Sequence, residues 1–226
     1  MRNWEKIPEC IRSKEVKYYY NILKKRQAGL WSKRFFDVIV SLLLIVLLSP
    51  VFLCLALFIK MDSKGAVLFR QVRVTQYGKR FRIFKFRTMV ENAEQLGTQV
   101  TTQSDIRVTK IGKILRKYRL DELPQLLNIL CGDMSFVGTR PEVEKYVERY
   151  TDEMKATLLL PAGVTSKASI RYKDEEQLLQ SAKNADETYV EKVLPEKMKY
   201  NLEMLENYSF FYDIKIMLMT VIEVVK

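Results

Sequence analysis

The apolar positions of this chain follow three patterns, and each predicts a different element. From Val38 to Ile59 the run is nearly unbroken, interrupted only by Ser41, Ser49 and Pro50. A straight helix of about 22 residues is roughly 33 Å long, close to the thickness of a bilayer's hydrocarbon core. Length alone therefore predicts a transmembrane helix. Pro50 opposes that reading. It has no N–H to offer the carbonyl of Val46, and its ring crowds that carbonyl, so a kink is expected there. The hydroxyl of Ser49 is placed to satisfy part of the loss.

The second pattern has a period of two. In residues 66–90, VLFRQVRV leads to a turn at Gln76-Tyr77-Gly78-Lys79, and RFRIFKFR then alternates basic and apolar residues. This predicts a β-hairpin with one basic face. The third pattern has helical spacing. Ile111, Ile114, Leu115 and Tyr118 fall at i, i+3, i+4 and i+7, and Leu123, Leu126, Leu127 and Leu130 repeat it. Two amphipathic helical pieces are expected to meet near Leu120-Asp121. Pro124 sits where a first helical turn tolerates it, and Cys131-Gly132-Asp133 ends the second piece.

The remaining segments read more plainly. MSFVGTRPEVEKYVERY predicts a short strand, a Gly-containing turn and a helix from near Pro141. Residues 158–174 read as loop and short strand, and 175–183 and 188–206 as helices. The C-terminal YSFFYDIKIMLMTVIEVVK reads as a helix on the core or in a membrane interface. Residues 91–105 read as loop or short helix. Residues 1–32 read as a basic N-terminal arm, either interfacial or loose, with no apolar stretch of the secretory-signal type.

Charge decides between spanning and returning. The chain carries 38 Lys plus Arg against 27 Asp plus Glu, a net charge of +11. Such a charge draws a protein to nucleic acid, acidic lipid or phosphorylated substrates, and the apolar run favours a membrane surface. Residues 1–34 hold ten Lys/Arg and three acids, and residues 60–90 hold nine and one. Basic flanks prefer the cytoplasmic side, and a spanning helix would export one of them. The expectation is therefore a re-entrant helical hairpin at about 35–60. The fold class is α+β, with that hairpin and a small cytosolic part of amphipathic helices and a β-hairpin, the two together forming one domain over residues 33–226.

The chemistry is narrowed by what is missing. There is no His, which excludes Ser-His and Cys-His triads and the common zinc sites. Cys10, Cys54 and Cys131 form no disulfide framework and fit a reducing cytosol. Asp121-Glu122 is the pair that stands out. Lys113, Arg116, Lys117 and Arg119 precede it and Arg140 follows at a Gly-Thr-Arg-Pro turn. Acids among so many cations are expected to have lowered pKa values and to stay ionised. Such carboxylates suit attack on phosphorus or holding Mg²⁺ against phosphate oxygens. Neighbours on a helix diverge by about 100°, so a division of labour is expected rather than a shared proton.

KRFFD at 33–37, the apolar run with Ser49-Pro50, DSKG at 62–65, KFRTM at 85–89, LDELPQLLNIL at 120–130 and GDMSFVGTRP at 132–141 occur in this order. Together they resemble the bacterial sugar transferases, the monotopic phosphoglycosyl transferases that move a phosphosugar from a UDP-sugar to polyprenyl phosphate. The resemblance runs from about Lys33 to the C-terminus. It implies that Asp121 attacks the β-phosphorus, releasing UMP, and that Glu122 holds Mg²⁺. It implies phosphate contacts for Lys85, Arg87, Arg116 and Arg140, and a helix break at Ser49 and Pro50. It places the protein at the bacterial cytoplasmic membrane, active site on the cytoplasmic face, with UDP-sugar, undecaprenyl phosphate and membrane lipid as partners and no nucleic acid. Self-association and downstream glycosyltransferases stay open, as do the sugar and the pathway, whether capsule, O-antigen, exopolysaccharide or glycoprotein. The chain departs from the family at Thr139, where relatives read Pro, and at PAGVTSKASIRY, where sugar or nucleotide recognition is expected. The rival reading is a non-catalytic, membrane-anchored basic protein that binds acidic lipid.

Overall fold

The computed structural model describes residues 1–91, 93, 105–180 and 184–225. Most of the segment 91–105 thus lies outside the described residues, as does the end of the helix read at 175–183. The chain starts with two 3-10 turns and helix α1 (Lys14–Lys25). Ser13 caps α1 by accepting a hydrogen bond from the Val16 N–H at 3.1 Å. Val16, Tyr19, Tyr20 and Leu23 recur at helical spacing and are buried with Ile7 and Ile11. They join Leu159, Met198 and Leu205 in the largest core. The segment read as a basic arm is therefore an integral wall of that core, with its charges on the solvent side.

Helices α2 (Gln27–Leu47) and α3 (Ser49–Asp62) hold the long apolar run, bent by 61° at the break between them. Ser49 Oγ donates to the Val46 carbonyl at 2.8 Å, replacing the bond that Pro50 cannot make. Among the described residues no single helix is long and apolar enough to cross a membrane, though the bent pair meets that test together. The bend is not a full reversal. The one-residue break at Leu48 is where the direction changes. The inner face of the pair packs on the domain. Leu44, Ile45, Leu48 and Phe52 meet Phe81, Ile83, Leu126 and Ile129. Phe35, Leu42, Leu43, Val46, Leu47, Leu53 and Leu57 are exposed on the outer face.

Strands β1 (Leu68–Val74) and β2 (Arg80–Phe86) form the expected antiparallel hairpin, in register from Leu68 opposite Phe86 to Val74 opposite Arg80. Tyr77 and Gly78 reverse the chain with φ of 59° and 73°. The single basic face is overturned. Ile83 and Phe84 are adjacent apolar residues, so the alternation slips there. Arg80 and Arg82 share one face, while Lys85 lies on the other with the buried Phe81 and Ile83.

Helix α4 (Lys110–Lys117), a 3-10 turn at Leu120–Glu122 and helix α5 (Gln125–Cys131) follow, the last closed by Gly132 at φ 86°. Strand β3 (Met134–Val137) pairs in parallel with β4 (Ala162–Thr165). Between them lies α6 (Glu144–Val147), which starts three residues later than expected because Val143 is extended. After β4 come α7 (Lys167–Arg171), α8 (Glu175–Gln180), α9 (Ala185–Thr188), a π-helical turn at Tyr189–Val193, α10 (Leu194–Glu206) and α11 (Phe210–Val225). A Cβ on Gly163 would sit 2.0 Å from the Gly138 nitrogen, so β4 needs glycine there to pass close to the chain leaving β3 toward Arg140.

The KRFFD motif fastens α2 to this body. Lys33 is buried and donates to the Val137 carbonyl at 2.8 Å and Asp213 Oδ2 at 2.5 Å. Arg34 donates to the carbonyls of Ile129 and Leu130 in the last turn of α5. Asp37 accepts from the Phe136 N–H at 3.3 Å.

Candidate active site

The acidic pair is placed by both ends of its segment. Upstream, Thr109 accepts from the Gly112 N–H at 3.0 Å, and Asp62 of α3 accepts from the Ile111 N–H at 2.9 Å. α4 is thus anchored to the end of the bent pair. Arg119 then adopts φ 55°, a left-handed conformation rare for a side-chain-bearing residue, and turns the chain. Leu120 and Leu123 pack against the Ile59, Phe86 and Leu115 cluster and pin the turn between them. Asp121 and Glu122 end 8% and 9% exposed. They lie in a 3-10 turn rather than on an α-helix, and adjacent side chains there diverge by about 120°.

Glu122 collects the cations. Arg140 grips it with Nη2 at 2.5 Å from Oε1 and Nη1 at 3.4 Å from Oε2. Lys85 Nζ lies 3.2 Å from Glu122 Oε1 and 3.9 Å from Asp121 Oδ2. Asp121 accepts no hydrogen bond from the described residues. The slip in the β2 alternation is what aims Lys85 here, so the departure from the expected hairpin is what builds the site.

The structure brings Lys85, Asp121, Glu122 and Arg140 into one cluster. Arg116 stands beside it, with Nε donating to Thr88 Oγ1 at 3.2 Å and its charge acting on Asp121. Arg87 points elsewhere. Its guanidinium donates to the carbonyls of Ser63 and Lys64, both at 2.6 Å, and holds the DSKG loop. Ser49 and Pro50 sit at the helix break, outside the cluster. The segment PAGVTSKASIRY forms β4 and α7, and Gly163 is packed against Gly138 just before the Arg140 turn.

One member escaped the motifs. Phe69, Gln71 and Arg73 share the face of the hairpin that carries Lys85. Arg73 donates to the Pro141 carbonyl at 3.4 Å, on the turn that carries Arg140. Its period-two spacing from Gln71 and Phe69 was readable, but which strand face meets the acids was not.

The Arg140 turn is supported from behind. The carboxylate of buried Glu142 accepts from Tyr189 Oη, and Lys197 Nζ lies 3.7 Å from it. Lys197 also donates to Tyr189 Oη at 3.1 Å and to Glu175 Oε2 at 2.8 Å. The π-helical turn and α10 are thereby tied to residues 140–142.

The two carboxyls titrate in opposite directions, against the expectation that both would be lowered. Burial raises the pKa of Asp121, and the Glu122 charge adds to that, while Lys85, Arg116 and Arg140 pull it down. Glu122 is also desolvated, but Arg140 and Lys85 outweigh the burial and hold it well below the usual carboxylate range. Burial lowers Lys85. Glu122 raises Arg140. The cation contacts differ in the same sense, since Glu122 is gripped and Asp121 is nearly bare.

The sequence model of the family described as bacterial sugar transferase matches residues 28–226. The chain belongs to that family. The expectation drawn from its motifs is borne out. A relative from Aeromonas hydrophila, UDP-N-acetylgalactosamine-undecaprenyl-phosphate N-acetylgalactosaminephosphotransferase, is 35% identical over 84% of this chain and 42% of its own length. UDP-glucose:undecaprenyl-phosphate glucose-1-phosphate transferase of Escherichia coli (strain K12) is 37% identical over 84% of this chain and 39% of its own. The exopolysaccharide production protein ExoY of Sinorhizobium fredii is 34% identical, covering 87% of this chain and 86% of its own. This sugar transferase therefore spans about two fifths of the first two relatives' length and most of the third's.

Among the described residues no group of three or more Asp, Glu, Cys or His side chains forms a metal cage. Mg²⁺ needs only one or two protein carboxylates when waters and phosphate oxygens complete its shell, and Asp121-Glu122 is such a set. Asp121 has open lone pairs. Glu122 Oε2 carries one long contact, to Arg140 at 3.4 Å, and keeps a lone pair for an ion.

Proposed function

We propose that this sugar transferase moves a phosphosugar from a UDP-sugar to undecaprenyl phosphate through a covalent intermediate on Asp121. The observation that carries the reading is the asymmetry of the acidic pair. One carboxylate is fully held by cations, and its neighbour is buried, nearly bare and facing them. A desolvated carboxylate with raised pKa is a better nucleophile than a solvated one, and Lys85 stays close enough to keep it ionised. The names of the relatives support the substrates.

An Asp121 oxygen attacks the β-phosphorus. The bond from that phosphorus to the oxygen bridging to the α-phosphate breaks, and UMP leaves with the electron pair. An oxygen of undecaprenyl phosphate then attacks the same phosphorus and displaces the Asp121 carboxylate, giving an undecaprenyl-diphosphate sugar. No net proton is required. Arg140 and Lys85, held together by Glu122, stabilise charge on the phosphoryl oxygens. Glu122 and Asp121 would hold Mg²⁺, which would supply positive charge against that gathered at the phosphates.

The membrane reading rests on the bent pair. Its outer face is apolar, its flanks are basic, and α3 is tied through Asp62 to the helix that leads to Asp121. Both ends of the pair lie on the cytoplasmic side of the bacterial inner membrane, which brings the acids to head-group depth.

The test is turnover. Purified protein with Mg²⁺, undecaprenyl phosphate and a panel of UDP-sugars should release UMP, and EDTA should stop it. Asp121→Asn should lower the rate by about 10³-fold or more, as loss of a nucleophile does. Silence with every sugar would remove the proposal and leave a basic lipid-binding protein.

A further inference from the structure

Arg73 is the cation of this cluster for which no role has been assigned. Strand register puts it on the hairpin face that carries Lys85. Its guanidinium has two hydrogen bonds, to Gln71 Oε1 at 2.7 Å and to the Pro141 carbonyl at 3.4 Å. Among the described residues no carboxylate comes within 4.0 Å of it. Lys85 and Arg140 by contrast are both ion-paired to Glu122. The nearest acid in sequence beyond the turn, Glu142, is taken by Tyr189 and Lys197.

An arginine cannot shed its proton, and a half-buried guanidinium without an ion-pair partner favours an anion brought to it. Of five N–H donors, two are used. The site therefore holds a fixed guanidinium with free donors, and Glu142, the carboxylate that acts on it most, does so without direct contact. Gln71 and Pro141 orient the fork, and the latter contact links it to the turn bearing Arg140.

We propose that Arg73 binds phosphate oxygens of a substrate, forming with Arg140 a pair of guanidinium forks on either side of the reacting phosphorus. The proposal rests on the transferase reading above. The shared chemistry is a phosphate group, which the diphosphate of the nucleotide sugar or the head of the lipid acceptor can supply. Planar N–H forks suit either one.

The experiment measures KM separately for the UDP-sugar and for undecaprenyl phosphate in Arg73→Gln and Arg73→Lys, with UDP binding followed by calorimetry. Loss of a charge-assisted hydrogen bond predicts a KM rise of about 10-fold or more in Arg73→Gln, with a smaller rise in Arg73→Lys. A rise for the UDP-sugar, matched by weaker UDP binding, assigns Arg73 to the nucleotide diphosphate. A rise for the lipid alone assigns it to the acceptor phosphate. Both support the proposal. Unchanged KM values for both substrates overturn it, and should Arg73→Gln not fold, Arg73→Lys decides by the same criterion. A wild-type protein without turnover would instead fail the transferase reading, which separates the two outcomes.

Discussion

Asp121 and Glu122 are neighbours in the chain and opposites in physics. Both are buried, so both lose hydration, and what differs is who meets them. Glu122 meets Arg140 and Lys85 at hydrogen-bond distance, and its pKa is driven down. Asp121 meets only Lys85, at 3.9 Å, and burial drives its pKa up. The linkage signs follow. The folded state binds the Asp121 proton more tightly than the unfolded chain does, so this group erodes stability as pH rises through its raised value. Glu122 contributes stability that is present above its unfolded pKa and lost as pH falls. Asp121→Asn should therefore raise the unfolding midpoint at neutral pH. Glu122→Gln takes the carboxylate away from half-buried Arg140 and Lys85 and should cost about 1.5–3 kcal/mol. Thermal unfolding of the two variants checks this, and equal signs would contradict it. The sequence made the pair visible but not its asymmetry, because a count of nearby cations does not say which carboxylate they touch. Arg87 and Arg73 show the same limit. Arg87 belongs to a motif yet serves the carbonyls of Ser63 and Lys64, while Arg73 belongs to no quoted motif and contacts the turn that carries Arg140.

At the scale of elements, local chemistry was legible where a single bond decides it. Pro50 had to free the Val46 carbonyl, and Ser49 takes it up at 2.8 Å. Gly132 had to end α5, and it does so with positive φ. The hairpin turn at Tyr77-Gly78 was legible for the same reason. The extent of the bend was not, since 61° reflects packing of the inner face on Phe81, Leu126 and Ile129 as much as the proline. Nor was the role of residues 1–25, whose charged composition hid an apolar stripe in α1. The three free, exposed cysteines test the bent pair directly, because Cys10 precedes it, Cys54 lies within it and Cys131 follows it. A membrane-impermeant maleimide applied to inside-out vesicles should label Cys10 and Cys131 together and spare Cys54 until detergent is added. Labelling of Cys10 and Cys131 from opposite sides would mean that the pair spans.

At the scale of the molecule, separate pieces converge on one small volume. The bent pair sets α4 through Asp62, the hairpin supplies Lys85 and Arg73, and the β3–β4 crossing at Gly138 and Gly163 presents Arg140. The C-terminal helices brace that last turn through Lys197 and Tyr189. A net charge of +11 surrounds these parts and favours two anionic substrates at a lipid surface. The most direct test of the account is the mass of the protein after incubation with its UDP-sugar and Mg²⁺ in the absence of lipid acceptor. The account predicts an adduct of one phosphosugar on the peptide containing Asp121, lost when undecaprenyl phosphate is added and absent from Asp121→Asn. UMP release that requires the lipid acceptor, with no adduct on that peptide, would contradict it.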